Sequence, residues 1–228
     1  MTRGIFIAGN ESALIRAVEA ETMKRVEHFT SALIPNRLTG VLAANAAHKN
    51  TAQTNEKRIP LDWNPSSPIS ARTMVIAAEN RLDQIDEAIL ICSPPSIRSS
   101  AAELPLADVE IMINDHIKGW FFLIKELTTV FANRQSGTLV LVYHDIPAAG
   151  KDDAADILGP SSLASFRALT QSLLAAAHNE PYTTIGFSCS DAGNESAFAA
   201  FLYKNIDEIN KRSNGKLYKF GGKFNLFK

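Results

Sequence analysis

The sequence predicts an α/β protein built on a doubly wound, mostly parallel sheet. Short apolar runs without charged residues alternate with amphipathic helix patterns, and the 228-residue length suits one domain, expected to span 1–228. Continuous apolar strands are typical of parallel sheets that helices cover on both faces. Parallel neighbours joined by helices require right-handed crossovers.

The first third of the chain reads as strand, turn, helix, strand. Ile5–Ala8 is a short apolar run between glycines, and Glu11 to about Val26 carries apolar residues at helical spacing. Asn10 is placed to act as the helix N-cap. His28–Ile34 is expected to form a second strand, whereas Ala43–Arg58 has little periodicity and is expected to form an exposed loop or a frayed helix.

The middle of the chain contains the strongest helix pattern. Ser70–Leu82 is expected to be helical, and Ala88–Cys92 reads as a fully buried strand that two prolines stop. A single long helix is predicted from about Leu106 to Arg134. Its core-facing stripe consists of Ile113, Ile117, Trp120, Ile124, Leu127 and Phe131.

The last third continues the alternation. Thr138–Tyr143 and Thr184–Cys189 are expected to be strands, and Ser161 to about His178 and Ser196–Lys211 are expected to be helices. The first of these two helices is expected to bury Leu163, Phe166, Leu169 or Thr170, Leu173 and Ala177.

Composition limits the partners. With 23 Lys+Arg against 24 Asp+Glu and a net charge of -1, the chain lacks the positive field that nucleic acids or anionic membranes require, so neither is an expected partner. Cys92 and Cys189 lie far apart in apolar runs and read as buried thiols of a reducing compartment. Ile5–Ala8 is too short for a signal-peptide core or a membrane span, and a cytoplasmic protein is expected.

A series of short motifs runs through the chain in a characteristic order. They are Asp62 after Leu61, Ile85-Asp86 before a buried strand, His116-Ile117-Lys118-Gly119, Gly137-Thr138-Leu139-Val140, Leu169-Thr170-Gln171-Ser172-Leu173, and Asn214-Gly215-Lys216 with Gly221-Gly222. In this order they resemble the landmarks of short-chain dehydrogenases/reductases along nearly the whole chain. The resemblance implies a three-layer Rossmann-like fold and a dinucleotide cofactor, NADP or NAD.

The turn that would hold such a cofactor departs from the family pattern. Family members have glycines that let the backbone approach the pyrophosphate at a helix N-terminus. Here only Gly9 matches; Ala13 and Ile15 occupy the other glycine positions, and Glu11 places a carboxylate where phosphate would approach. Leu90-Ile91-Cys92-Ser93 replaces the family's Asn-Asn-Ala-Gly turn. The sequence therefore argues against ordinary dinucleotide binding.

The family's proton-donating groups are also missing. Its Tyr lies four residues before a Lys, and none of the four tyrosines here has a Lys at that spacing. Alignment on the Leu169–Leu173 motif puts Gly159 at the Tyr position and Leu163 at the Lys position. The family's Ser then falls near Tyr143-His144, and its Asn falls on His116.

The candidate catalytic residues are therefore His144, Tyr143 and His116. Tyr143-His144-Asp145 follows a predicted parallel strand at the edge where open α/β sheets bind ligands, so His144 can act as an acid or base oriented by Asp145. Neighbouring strand residues point to opposite faces, which separates Tyr143 from His144 unless the strand has ended. A solvated histidine at 144 and a backbone-bonded histidine at 116 are the structural alternatives.

The resemblance also supplies candidate cofactor-binding residues: Gly9, Asn10, Ser12, Arg37, Asp62 and Cys92. Arg37 resembles a basic residue that holds a 2′-phosphate and so favours NADP; the alternative is a surface arginine. Cys92 is either a reactive thiol or an inert core cysteine. A ligand pocket is expected between Gly9, Cys92 and His144. The five histidines show no metal-ligand spacing, so no metal is predicted.

Two functional hypotheses follow. In the first, the scaffold has lost the family's chemistry and is a pseudoenzyme that acts as a binding or interaction protein, with a small molecule or a nucleotide as a candidate ligand. In the second, the chain is an atypical NAD(P)-dependent oxidoreductase acting on a small carbonyl or alcohol, with His144 or Tyr143 as the acid and His116 or Ser161 assisting. The family's long helix forms dimer interfaces, so a homo-oligomer, dimer or tetramer, is also expected.

Overall fold

A computed structural model describes residues 3–39, 56–97, 99–144, 156–191, 193–210 and 212–221. In these ranges one seven-stranded parallel sheet has the order β3-β2-β1-β4-β5-β6-β7. The chain order reverses between β1 and β4, which confirms the doubly wound α/β class. The strands are β1 Ile5–Asn10, β2 Phe29–Ile34, β3 Arg58–Leu61, β4 Glu87–Cys92, β5 Thr138–His144, β6 Thr183–Cys189 and β7 Leu217–Phe220.

Helices cover both faces of the sheet, as the three-layer prediction requires. They are α1 Ala13–Thr22, α2 Pro68–Leu82, α3 Leu106–Ile113, α4 Gly119–Arg134, α5 Leu158–Ala176 and α6 Glu195–Asp207. Helices α1 and α6 pack on one face, and α2, α4 and α5 pack on the other. Successive strand residues enter opposite layers: Ile5 and Ile7 face α1, whereas Phe6 and Ala8 face the α4 layer.

The prediction of one continuous helix from Leu106 to Arg134 is wrong. A π-helical turn, Asn114–Lys118, separates α3 from α4. The wider turn rotates α3 relative to α4. Ile113 is consequently 45% exposed and Ile117 is half-buried, so the buried stripe begins at Trp120. The same turn buries Asp115 and His116.

Several helix boundaries also differ from the predicted ones. Ser12, not Asn10, caps α1, because the Ser12 hydroxyl accepts from the Ile15 backbone N–H. Helix α1 ends at Thr22, and α5 begins at Leu158, ahead of the predicted Ser161. Helix α6 is shorter than predicted and ends at Asp207.

The side of α5 that faces the core is also corrected. Phe166, Thr170 and Ala177 are buried as expected, but Leu174 takes the place predicted for Leu173. Half-buried positions on this helix include Leu163, Leu169 and Leu173.

The two edge strands were not delimited by the sequence pattern. β3 and β7 are short, and their residues are half-buried or exposed, so neither carries a continuous apolar run. Within the segment expected to be a loop or a frayed helix, residues 43–55 lie outside the described residues, and Arg58 begins β3. Within the described ranges, no helix combines the length and the apolar character needed to cross a membrane.

Candidate functional site

The carboxyl ends of β1 and β4 are bridged by a side chain. Asn10, the last residue of β1, is 4% exposed. Its Oδ1 accepts from the Ser93 backbone N–H at 3.3 Å, and its Nδ2 lies 2.9 Å from Nδ1 of His116. This bridge lies where the strand order reverses, the position at which open α/β sheets bind ligands.

The bridge determines which nitrogen of His116 carries the proton. The Ser93 N–H needs an acceptor, so the Asn10 amide oxygen faces it and the amide nitrogen faces the imidazole. Asn10 Nδ2 then donates to Nδ1 of His116, and the ring proton resides on Nε2. Nε2 is buried and has no hydrogen-bond partner within the part of the chain that the structure describes.

His116 is neutral at physiological pH. Burial, together with the positive charge of Arg37, lowers the pKa of its imidazole to about 4. The ring therefore offers a neutral N–H donor at Nε2 and cannot act as a cationic acid near pH 7.

Arg37 is engaged by the residue that precedes His116. Its guanidinium forms a two-pronged ion pair with Asp115, with N···O distances from 2.7 to 3.1 Å, and also reaches Oδ1 of Asn64 at 3.3 Å. The Asp115 side chain is 1% exposed. Sequence reasoning missed Asp115, since its partner lies 78 residues away. The guanidinium proposed for a 2′-phosphate is thus already matched by a carboxylate.

The serine that reaches His116 is Ser162, not the predicted Ser161. Ser162 Oγ is buried and donates to the backbone carbonyl of His116 at 2.9 Å. Ser161 is exposed and donates to the carbonyl of Ile157 within its own helix. Helical rotation of about 100° per residue separates the two hydroxyls, and the sequence could have identified Ser162 only with the correct start of α5.

The turn after β1 is filled by protein atoms. A Cβ on Gly9 would lie 2.5 Å from the Ile91 carbonyl oxygen and 3.1 Å from Cδ1 of Ile15. Gly9 is therefore required for the close approach of β1 to β4, and the fully buried Ile15 side chain occupies the adjacent space. At the same turn, Ser12 caps α1, and Glu11 pairs with Arg16 at the surface.

Tyr143 and His144 point into opposite layers, as strand alternation requires. Both belong to β5; Tyr143 is 1% exposed and packs in the α4 layer. His144 is half-buried on the α6 side, and its Nε2 is buried without a partner among the described residues, which do not include 145–155. Burial lowers the pKa of His144, although the charge of Glu195 opposes this shift. Asp145 lies outside the described residues.

Of the three residues expected to line a ligand pocket, Gly9, Cys92 and His144, the last two point into opposite layers of the fold. Cys92 is fully buried in the α4 layer, opposite His144, and burial raises the pKa of its thiol. Cys92 and Cys189 are both free, buried cysteines, as predicted. Asp62 is exposed at the end of β3, where it lines an open groove of about 720 Å³ with Pro35, Trp63 and Asn64.

The positions aligned with the family's Tyr and Lys lie in the first turns of α5. A Cβ at Gly159 would lie 2.8 Å from Oδ2 of Asp156 and 3.0 Å from the Pro95 carbonyl oxygen. Leu163 packs against the core of the α4 layer. Neither position carries a group that can give or take a proton. Among the described residues, no group of three His, Cys, Asp or Glu side chains is placed to hold a metal ion.

Solved structures share this architecture. A putative 3-oxoacyl-reductase from Bacillus thuringiensis has a TM-score of 0.68 at 15% identity, with 99% of each chain covered. A putative short chain dehydrogenase/reductase family oxidoreductase from Aeromonas hydrophila has a TM-score of 0.71 at 12% identity, covering 96% of this chain and 99% of that one. ElxO with NADP bound gives 0.70 at 13% identity, covering 96% and 97%.

The class that the fold defines is therefore the Rossmann-like architecture of short-chain dehydrogenases/reductases. Neither protein-family models nor curated proteins give a match to this sequence. At identities of 12 to 15% the structural likeness establishes the fold, and the chemistry must be argued from the residues of this chain.

Proposed function

We propose that this chain is a non-catalytic binding or interaction protein that uses the short-chain dehydrogenase/reductase fold. The observation that carries the proposal is the pair of positions on α5. Gly159 packs against the backbone of Pro95, and Leu163 packs on the core. The Tyr with which the family protonates a substrate carbonyl therefore has no counterpart at these positions. A hydride acceptor without a nearby proton donor gains little transition-state stabilisation.

The β1 turn supports the same proposal. The Ile15 side chain fills the space beside Gly9, and Asn10 ties β1 to Ser93 and His116. A pyrophosphate would have to displace these groups and approach the carboxylate of Glu11. We therefore expect the ligand to be a small molecule bound at the β1/β4 edge. A dinucleotide would have to cross this edge.

The proposal extends to the setting of the protein. The chain is taken to work as one domain in the cytoplasm, consistent with its two free, buried cysteines. It is also taken to form a homo-oligomer, dimer or tetramer. Phe121, 50% exposed on α4, and Ile113 leave apolar surface on the long-helix face that supports such a contact.

One observation favours the alternative, an atypical NAD(P)-dependent oxidoreductase. At the carboxyl end of β5, Nε2 of His144 has no partner in the described ranges, and the lowered pKa of His144 leaves it neutral and able to accept a proton. If this alternative holds, His144→Ala abolishes turnover while circular dichroism and the unfolding midpoint stay close to those of the parent protein.

The test of the proposed function is calorimetric titration with NADPH and with NADH, followed by assays with a panel of carbonyl compounds. The proposal predicts no binding up to millimolar dinucleotide and no turnover. Micromolar binding with carbonyl reduction that depends on His144 would replace it with the oxidoreductase.

A further inference from the structure

A neutral N–H donor without an acceptor lies beside the β1/β4 edge. His116 is 2% exposed, its Nδ1 is occupied by Asn10, and none of the described residues offers a hydrogen-bond acceptor to its Nε2. A buried donor left unsatisfied destabilises the fold, and native proteins hold few such groups without a functional or solvent-related reason.

The surroundings of this donor are held in place from three sides. Asn10 orients the ring, the Ser162 hydroxyl holds the backbone carbonyl of His116, and the preceding Asp115 is clamped by Arg37. The imidazole therefore cannot easily turn to find another acceptor. Such second contacts fix the orientation of a binding group before its ligand arrives.

The layer next to His116 contains aromatic rings and a further hydrogen-bond donor. Trp120, four residues further along the chain, packs edge-on against Trp63 and Phe166, with ring centroids 5.6 and 5.0 Å apart. The indole N–H of Trp63 is buried and has no hydrogen-bond partner among the described residues, whereas the Trp120 side chain contacts the Cys92 thiol. The layer therefore combines apolar ring surface with the donors of Trp63 and His116.

The His116 donor and the paired Arg37 together favour a ligand without a net charge. A cation brings no acceptor for Nε2–H. An anion would be desolvated beside Arg37, whose guanidinium is already matched by Asp115, and burying an unpaired charge is costly. A neutral oxygen acceptor on an apolar body satisfies the donor without a desolvated charge.

We propose that His116 Nε2–H is the hydrogen-bond donor for the amide or ketone oxygen of a neutral small molecule with an aromatic or aliphatic body, bound at the β1/β4 edge. This inference rests on the proposed binding function, for which it names the ligand class. His116 is a ligand-binding residue in this account, and Asn10 and Ser162 are positioning residues.

The test uses the full-length protein with nitrogen-15 in its histidine rings and three probes of matched shape: benzamide, benzoate and benzylammonium. Long-range nitrogen–proton spectra are expected to show the Nε2–H tautomer at His116. Benzamide is expected to shift the Nε2 signal saturably, and the two charged probes are expected to leave it unchanged.

Two substitutions separate a ligand contact from a structural role. His116→Gln keeps an N–H donor near the position of Nε2, whereas His116→Phe keeps a planar ring without one. We expect His116→Gln to bind benzamide within about threefold of the parent and His116→Phe to lose about tenfold or more, a difference that one lost hydrogen bond explains.

Three results would overturn the inference: an Nδ1–H tautomer, equal benzamide affinity in the parent and His116→Phe, or no shift of Nε2 with benzamide up to its solubility limit. The dinucleotide titration is independent of these outcomes. Tight NADPH binding with a normal benzamide response would reject only the proposed loss of dinucleotide binding, and the reverse result would reject only the role of His116.

Discussion

Each end of the sheet buries a titratable group, and burial shifts the pKa values of these two groups in opposite directions. At the carboxyl edge, His116 is held by the neutral amide of Asn10, and burial lowers its pKa to about 4. At the amino edge, Glu87 begins β4 beside Arg3, and burial raises its pKa to about 7 although Arg3 opposes the shift. Burial favours the neutral form of both groups. The stabilising contribution of His116 is therefore lost in acid, and that of Glu87 is lost in base.

The two groups differ in whether a charged partner holds them. Arg3 pairs with Oε1 of Glu87 and with Asp207, and so ties β4 to the end of α6. Oε2 of Glu87 and Nε2 of His116 both lack a hydrogen-bond partner among the described residues, but of the two groups only Glu87 is in an ion pair there. The amino edge therefore stabilises the fold, and the carboxyl edge retains a donor that a ligand can use.

Removing the cation of the amino edge should destabilise the protein more than the other substitutions considered below. Arg3→Ala leaves Glu87, 6% exposed, without its positive partner, and should lower the free energy of unfolding by about 2–3 kcal/mol at pH 8. At pH 5 the loss should be smaller, because Glu87 is then protonated.

Arg16→Ala is the matched control for Arg3→Ala. It breaks the exposed pair of Arg16 with Glu11 and should cost less than about 1 kcal/mol. Urea denaturation at both pH values measures the two effects. Equal costs for the two variants at pH 8 would refute the structural role of the amino edge.

The two ends of the sheet should contribute to the free energy of unfolding with opposite pH dependence. Glu87 has a folded pKa raised above its ordinary value of 4.5 to about 7, so its contribution is full below 4.5 and is lost as pH rises towards 7. His116 has a folded pKa lowered from 6.5 to about 4, so its contribution is full above 6.5 and is lost as pH falls towards 4. Between these limits the two trends oppose each other in the parent protein.

Single substitutions should reveal each trend. In Glu87→Gln, the free energy of unfolding should rise by about 2 kcal/mol or more from pH 4.5 to 6.5, because the opposing Glu87 trend is gone and the lowered pKa values of His116 and His144 both act in this direction. In His116→Gln it should fall by a similar amount across the same interval. Parallel pH profiles in the two variants would show that these groups do not carry the opposite trends.

The smallest expected effect concerns the support of His116. Ser162→Ala removes the hydroxyl that donates to the His116 carbonyl and should cost about 1 kcal/mol. Ser161→Ala removes an exposed hydroxyl on the same helix and should change stability by less than about 0.5 kcal/mol. Denaturant midpoints measure both, and a larger effect at Ser161 would contradict the geometry of α5.

Much of the fold could be predicted from local pattern. β4 and β5 are apolar runs because helices cover both faces of the sheet, and the alternation of elements fixes their parallel order. The break between α3 and α4 could not be predicted, because the apolar spacing continues through the π-helical turn. The edge strands β3 and β7 lack a buried run and were correspondingly hard to delimit.

The site was less predictable than the fold. His116 and Asn10 were identified by family position, but their contact joins residues 106 apart in sequence, and the Asn10 contact with Ser93 spans 83. Asn10 fits the local pattern of an N-cap, yet its tertiary partners take its side chain away from α1. The rotation of α5 likewise points Ser162, and not Ser161, towards His116. Which of two neighbouring residues faces the site depends on where the helix begins.

In our proposal the β1/β4 edge carries the bridged His116 donor in place of a dinucleotide site. The decisive measurement follows the His116 ring nitrogens while NADPH is added to the histidine-labelled protein. We expect Nε2 and Nδ1 to keep their chemical shifts up to millimolar NADPH. A saturating shift of either nitrogen at micromolar NADPH would show that the edge opens to the cofactor and would contradict the account.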